Sequence, residues 1–156
     1  MRTNRNKRRN ICIEYNCRLG DPETQVVLPM LNMSLYELLL NTVDKNLKEV
    51  SILNKEGYMV TVVLSANGYP EKYNKGMLIH CLDNIADNMF FHAGTKSKNN
   101  KYYTNGGRVL NILGYGKTLD KAIDDAYKNI NYIDFEDMFF RNDIGQKGLS
   151  YLKGLL

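Results

Sequence analysis

The residues best suited to chemistry lie in the segment Glu14-Tyr-Asn-Cys-Arg-Leu-Gly-Asp-Pro-Glu-Thr-Gln25. Glu14 and Asn16 fall on a predicted strand, residues 11–17, and side chains two apart on a strand point to the same face. A carboxylate and an amide oxygen suit Mg²⁺, which completes its octahedron with water and substrate phosphates. The spacing therefore indicates a divalent-metal site at Glu14 and Asn16, although an ordinary exposed strand surface has the same pattern.

A turn into a helix follows this strand. Gly20 suits a turn, Asp21 suits a helix cap, and Pro22 is favoured at the first helical position. Arg18 and Asp21 add opposite charges at the strand end, where open sheets place ligands. Arg18 either holds a substrate carboxylate or phosphate with its planar fork, or forms a structural ion pair with Asp21 or Glu23. Asp21 fits a helix cap better than a catalytic contact with substrate.

Two glycine-containing turns are the next candidates for binding. Residues 66–70 and 105–108 expose backbone N–H groups, and such turns can bind anions. Ordinary hairpin turns have the same composition, so the short motifs leave both interpretations open. The candidate binding residues in these turns are Gly68, Gly106, Gly107 and Arg108.

The other reactive side chains are predicted to be structural. His80 and His92 lie on apolar strands and are expected to be hydrogen-bonded core residues. The three cysteines lack the spacing of a zinc site or a disulfide framework, so they are expected to be reduced. No apolar run is as long as a membrane span, and no secretory leader begins the chain, so we expect a cytoplasmic protein.

Hydrophobic periodicity predicts an α+β fold, because several strands surround a few helices. A β-branched apolar run indicates a buried strand, and an amphipathic stripe indicates a helix that starts at Thr118. Asn142 or Asp143 is expected to cap a last helix. The predicted strands are residues 11–17, 50–53, 59–65, 77–81, 88–93, 101–104, 108–115 and 138–140, and the predicted helices are residues 22–31, 34–45 and 118–130.

The segment from Glu14 to Gln25 resembles the signature of phosphoribosylamine–glycine ligase, an ATP-grasp family. The resemblance continues, in family order, over most of the chain. The further matching segments are Val60-Thr-Val-Val-Leu-Ser-Ala-Asn-Gly-Tyr-Pro70, Phe91-His-Ala-Gly-Thr-Lys96, Thr104-Asn-Gly-Gly-Arg-Val-Leu110 and Arg141-Asn-Asp-Ile-Gly145. In the family, a second glycine often stands where this chain has Asn67, which makes close backbone approach at that turn less certain.

The resemblance implies the C-terminal part of such an enzyme. The expected fold is the last strand or strands of an ATP-grasp domain, two helices, and a small mixed, curled β-sheet domain with flanking helices. Residues 1–45 would be the remnant of the ATP-grasp domain, and residues 46–156 the C-terminal α+β domain. A fragment, a split-gene product and a wrongly assigned start all remain open, as does a non-catalytic module that kept the fold.

The resemblance also implies an activity. ATP would phosphorylate glycine, and the amine of 5-phosphoribosylamine would attack the acyl phosphate to form an amide. Glu14 and Asn16 match the family's Mg²⁺ or Mn²⁺ ligands, and the glycine turns face phosphoribosylamine. The expected partners are glycine, 5-phosphoribosylamine, ATP and an amino-terminal part of the enzyme, without which the chain is expected to be inactive.

The net charge of +4 comes from the amino-terminal end. Its basic residues suggest nucleic-acid or membrane binding, but a solvated hairpin loop over residues 4–10, with its partner strand missing, fits better. We therefore expect neither nucleic acid nor membrane as a partner. The exposed strand edge left by a missing neighbour makes a homodimer a further expectation.

Overall fold

The computed structural model describes residues 2–6, 9–14 and 17–154, with side chains from Cys17 onward except that of Asn88. The chain begins with an antiparallel hairpin of β1 (Arg2–Asn6) and β2 (Arg9–Glu14). The basic segment was predicted to be a loop without a partner strand. That prediction is wrong, because β1 is itself the partner of β2.

Two short helices follow the hairpin. α1 (Thr24–Val27) passes directly into a 3₁₀ turn, Leu28–Met30. α2 (Leu35–Val43) has Ser34 as its N-cap, and the Ser34 hydroxyl accepts a hydrogen bond from the Glu37 N–H at 3.3 Å. The α-helix observed here, Thr24–Val27, is thus shorter than the helix predicted over residues 22–31. Pro29 has no N–H to continue an α-helical ladder, which fits the change to a 3₁₀ turn.

The centre of the fold is a four-stranded sheet in the order β5-β8-β3-β9. Its long central strands, β3 (Tyr58–Ala66) and β8 (Arg108–Gly116), pair antiparallel from Tyr58 opposite Gly116 to Ser65 opposite Arg108. β5 (Phe90–His92) and β9 (Met138–Phe139) form the edges. A smaller sheet has the order β4-β7-β6, from β4 (Leu78–Ile79), β6 (Thr95–Lys98) and β7 (Lys101–Thr104).

The core lies between the larger sheet and α3 (Leu119–Ile130). The predicted apolar stripe of α3 is Leu119, Ala122, Ile123, Ala126 and Ile130. It is confirmed, since the last four are buried and Leu119 is half-buried against the core. Gly114 of β8 lets the helix approach closely. A Cβ added at Gly114 would lie 2.2 Å from both the Ala122 carbonyl oxygen and the Ala126 nitrogen.

Several finer expectations are corrected. Every strand pair in the described ranges is antiparallel, so the sheets are not mixed. Residues 50–53 form no strand. The last helix, α4 (Gln146–Leu152), begins after Gly145 and is not capped by Asn142 or Asp143. No helix in the described part of the chain is long and apolar enough to cross a membrane.

Candidate functional site

A cavity of about 430 Å³ opens beside the end of β3 and the start of β8. The turn after β3 and the chain after β9 form its other walls. Most of the lining is apolar, but two guanidinium groups and two hydroxyl-bearing side chains of the sheet also face it. The lining residues are Pro22, Thr61, Val62, Val63, Ser65, Tyr69, Pro70, Arg108, Phe139, Phe140, Arg141 and Ile144.

An ion pair joins the amino-terminal segment to this cavity. The Arg108 Nη2 lies 2.9 Å from the Asp21 Oδ2, and the Gln25 Nε2 donates to the Asp21 Oδ1 at 3.1 Å. Asp21 is therefore not the cap of α1, which has Glu23 at its N-cap position and no side-chain capping bond. Both partners are about 40% exposed, 41% for Arg108 and 40% for Asp21. The pair therefore positions Arg108 more than it stabilises the fold.

Arg18 lies apart from this ion pair. Its Nη1 donates to the neighbouring Leu19 carbonyl at 2.9 Å, and its side chain is exposed. Within the described residues it forms no ion pair with Asp21 or Glu23, so the structural alternative for Arg18 is wrong. Its guanidinium keeps most of its donors free, and its catalytic role stays a prediction.

The two predicted glycine turns come together beside the cavity, and they contribute Tyr69, Pro70 and Arg108 to its lining but none of the three predicted glycines. Gly68 has φ +90°, and Gly107 lies beneath the Tyr69 ring, where an added Cβ would come within 2.0 Å of the Tyr69 Cδ2. The Ala66 N–H donates to the Gly107 carbonyl at 2.8 Å, which fixes one turn against the other. Gly106 faces Gly94 so closely that a Cβ on Gly94 would lie 2.6 Å from the Gly106 Cα.

This packing predicts the effect of Gly107→Ala. The new methyl group overlaps the inner atoms of the Tyr69 ring, which must turn out of its place. We expect a loss of about 1–3 kcal/mol in the free energy of unfolding, as for other overpacked sites. Chemical denaturation of Gly107→Ala, Tyr69→Ala and the double variant measures it. The double variant is expected to be no less stable than Tyr69→Ala alone, and additive losses would contradict this packing.

Arg141 was missed as a site residue. It lines the cavity together with Arg108, and its Nε and Nη2 donate to the two Asp143 carboxylate oxygens at 2.8 and 2.7 Å. These bonds with Arg141 hold the pKa of Asp143 below its usual value. Arg141 begins the matching segment Arg141-Asn-Asp-Ile-Gly145, but no local signal in the sequence placed it at the same cavity as Arg108.

The sheet contributes an unpaired polar group to the cavity. The Thr61 hydroxyl oxygen is buried and has no hydrogen-bond partner within the described residues. Buried polar groups in folded proteins nearly always have a partner. A ligand or water in the cavity would supply one. The site therefore has an open hydrogen-bonding group and two guanidinium groups, each of which is already paired with one carboxylate.

The predicted metal ligands lie outside what the structure shows. Glu14 ends β2, but its side chain is not described, and Asn16 is outside the described residues. From Cys17 to Gly154, no group of three or more acidic, histidine or cysteine side chains is arranged to hold a metal ion. The metal site therefore stays a prediction.

The histidines differ from expectation. Both side chains are exposed, so the prediction that His80 and His92 are core residues is wrong. The His92 Nδ1 lies 2.9 Å from the Thr95 hydroxyl, and its ring centroid is 4.5 Å from that of Tyr102. His92 is thus a surface residue held by its neighbours, away from the cavity lining.

Comparisons with known proteins agree on one family. The family model described as phosphoribosylglycinamide synthetase, C domain, matches residues 59–147. The chain is similar to phosphoribosylamine–glycine ligase of Fusobacterium nucleatum, with 45% identity over 137 residues, 85% of this chain and 32% of that protein. It is also similar to a bifunctional purine biosynthetic protein of Dictyostelium discoideum, with 44% identity over 145 residues, 90% of this chain and 18% of that one.

A solved structure gives the same result. The crystal structure of phosphoribosylamine–glycine ligase from Thermotoga maritima matches with a TM-score of 0.69 and 35% identity, covering 86% of this chain and 33% of that chain. The chain therefore spans about a third of the length of the single-function ligases it resembles.

Proposed function

The chain belongs to the phosphoribosylglycinamide synthetase C-domain family, and from this membership we infer that it supplies the carboxyl-terminal part of an ATP-dependent ligase. The proposed reaction joins glycine to 5-phosphoribosylamine in purine biosynthesis. The observation that carries the proposal is the family match over residues 59–147, together with relatives whose printed names are ligase and purine biosynthetic protein.

In this proposal the cavity holds the phosphate of 5-phosphoribosylamine. Arg108 uses Nη2 for Asp21, and its other guanidinium N–H groups stay available for phosphate oxygens. The Gly106 and Gly107 N–H groups donate to no other described residue, so they can bind the same anion together with the Gly68 turn. The Asp21 carboxylate orients Arg108, and the exposed Arg18 is a catalytic contact for the reacting carboxylate.

Glu14 and Asn16 are the proposed ligands of Mg²⁺ or Mn²⁺. Their carboxylate and amide oxygens are donors that these hard cations prefer. Because a single carboxylate leaves net positive charge on the ion, ATP phosphates can still bind there. When bound, the ion neutralises charge that develops during phosphoryl transfer.

The remaining walls of such an active site must come from other polypeptide. Carboxylate phosphorylation requires exclusion of water and exact placement of ATP, glycine and amine. The chain spans about a third of the length of the ligases it matches. We therefore propose that it has no ligase activity without the amino-terminal part of the enzyme, which would bind most of the ATP.

Reconstitution tests this function. The chain is produced together with the amino-terminal two thirds of the Fusobacterium nucleatum relative, and ADP release is followed with and without glycine. We expect ADP release that requires glycine and 5-phosphoribosylamine from the pair, and none from either part alone. An assembled pair without such release rejects the function and favours a non-catalytic module.

The phosphate role of Arg108 gives a separate prediction. In the active pair, Arg108→Ala removes a charged hydrogen-bond donor worth about 1.5–3 kcal/mol, so the KM for 5-phosphoribosylamine should rise about tenfold to hundredfold. The KM for ATP should change less than about twofold, since this cavity does not hold ATP. Steady-state kinetics measure both, with Lys128→Ala on the exposed face of α3 as the matched control. Equal changes in both KM values would contradict the assignment.

A further inference from the structure

The central sheet has a second face, on the side away from α3, that carries polar side chains. Val63 of β3 lies opposite Asn111 of β8, and Ser65 lies opposite Arg108. Side chains that are directly opposite each other, or two residues apart on one strand, project from the same face of a sheet. Thr61, Asn111 and Arg108 therefore share this face, and the register shift just before Ser65 is what brings Asn111 and Arg108 onto it together. We call it the polar face.

Two buried side chains of the polar face lack a hydrogen-bond partner. Asn111 is 1% exposed, and neither its Nδ2 nor the buried Thr61 Oγ1 has a partner within the described residues. Leu113 lies opposite Thr61, so Thr61 and Asn111 are diagonal neighbours, with Cα atoms about 7–8 Å apart. Because a buried polar group without a partner is costly, native structures nearly always provide one.

Helix α1 lies over the polar face and brings a third such atom. α1 contacts both β3 and β8, and Asp21, just ahead of it, is paired with Arg108. The Gln25 Nε2 donates to the Asp21 Oδ1 at 3.1 Å. A carboxylate only accepts hydrogen bonds, so this contact fixes the orientation of the Gln25 amide. The other end of that amide, the Gln25 Oε1, is buried and has no partner in the described part of the chain.

We propose that a buried water molecule joins Gln25 to Asn111 and Thr61, and that Gln25 thereby positions Arg108. This inference rests on the proposed function and adds a positioning residue to its phosphate site. The three atoms without partners are an amide donor, an amide acceptor and a hydroxyl that can act either way. Water donates and accepts at once, and buried waters in proteins typically form about three hydrogen bonds.

Other occupants do not match this set of donors and acceptors. An anion would accept from the Asn111 amide but would face the Gln25 oxygen, which is itself an acceptor. A metal cation would bind that oxygen but would face the Asn111 amide hydrogens. A substrate hydroxyl could do both, but neither Gln25 nor Asn111 is among the residues that line the cavity.

The bridge would hold Arg108 through a chain of contacts. With its oxygen fixed to the sheet, the Gln25 amide holds the Asp21 Oδ1, while the Asp21 Oδ2 lies 2.9 Å from the Arg108 Nη2. The carboxylate is thus held at both oxygens, and the guanidinium is held in one orientation toward the cavity. Gln25 itself does not touch the substrate, so its effect must pass through Arg108.

Stability of the free chain tests the bridge. Thr61→Val removes the hydroxyl but keeps the shape of the side chain. Loss of a hydroxyl without a partner would raise the unfolding temperature, whereas loss of a bridged one should lower it by about 2–4 °C. Gln25→Met removes the acceptor at a similar side-chain length, and in this background Thr61→Val should lower the temperature less than about half as much. A rise with Thr61→Val, or equal shifts in both backgrounds, overturns the bridge.

Kinetics of the reconstituted pair test the positioning role. Gln25→Met should raise the KM for 5-phosphoribosylamine about threefold to tenfold, while kcat and the KM for ATP change less than about twofold. In an Arg108→Ala background, Gln25→Met should change the KM for 5-phosphoribosylamine less than about twofold, because the guanidinium that it positions is gone. Gln146→Met, at the exposed start of α4, is the matched control and should leave all three constants unchanged.

The outcomes separate this proposal from the function. Coupling between Gln25 and Thr61 in the free chain, with an assembled pair that releases no ADP, supports the bridge and rejects the function. In an active pair, an unchanged KM for 5-phosphoribosylamine with Gln25→Met overturns the positioning role, as does an equal rise with and without Arg108. An active pair whose free chain shows no coupling overturns the bridge and leaves the function standing.

Discussion

Gly114→Ala is expected to lower the free energy of unfolding by about 3 kcal/mol or more, at the upper end for an overpacked site. The added Cβ would lie 2.2 Å from the Ala122 carbonyl oxygen and the Ala126 nitrogen and 2.7 Å from the Ala126 Cα. These are backbone atoms, so no side chain can turn aside to make room. α3 must move off the sheet, which opens the main core of the domain.

Thermal and urea unfolding of the free chain measure this loss, which for a chain of this size corresponds to roughly 6–12 °C. Gly148→Ala is the matched control. Its added Cβ meets only the end of the Leu119 side chain, at 3.0 Å, and alanine is favoured over glycine within a helix such as α4. It should therefore change stability by less than about 1 kcal/mol. A Gly114→Ala protein as stable as the parent would show that α3 does not lie this close to β8.

Glu14→Gln is expected to reduce the activity of the reconstituted pair by about 100-fold or more. The substitution keeps the size of the side chain but removes the only carboxylate in the proposed ligand pair. A metal ion contributes several kcal/mol to phosphoryl transfer, and each 1.36 kcal/mol is a factor of ten in rate. The midpoint of the Mn²⁺ titration, followed by water-proton relaxation in the presence of ATP, should also shift to higher concentration.

Glu49→Gln, at an exposed position in the turn after α2, controls for loss of a negative charge. It should leave both the rate and the Mn²⁺ midpoint unchanged within about twofold. If Glu14→Gln and Glu49→Gln behave alike, Glu14 is not a metal ligand and the proposal for Glu14 and Asn16 fails.

Much of the sheet domain could be predicted from the sequence because its signals are local. β3 and β8 are long apolar runs, and α3 has an apolar residue at each position of its stripe. The glycine turns were predicted as candidates for the same reason. The position of Gly107 under Tyr69 could not be predicted, because it depends on the pairing of β3 with β8, which a local motif does not specify.

The errors occurred where a long-range contact replaced a local one. Asp21 is a residue type that is favoured at helix caps, but its carboxylate binds Arg108, which lies far along the chain. Asp143 is an exception, because it was expected to cap a helix but its two carboxylate oxygens bind Arg141, only two residues away in the sequence. His92 sits in an apolar stretch, but it lies on an edge strand, whose outer face is exposed. Charge pairing and edge position depend on topology, which spacing alone does not give.

The most direct test of the central claim is detection of the product. The chain and the complementary amino-terminal part are mixed with ATP, 5-phosphoribosylamine and ¹³C-labelled glycine, and the reaction is analysed by mass spectrometry. The account predicts a labelled amide of glycine and phosphoribosylamine from the pair, and none when either part is omitted. Labelled amide formed by the amino-terminal part alone, or an assembled pair that hydrolyses ATP without making the amide, would contradict it.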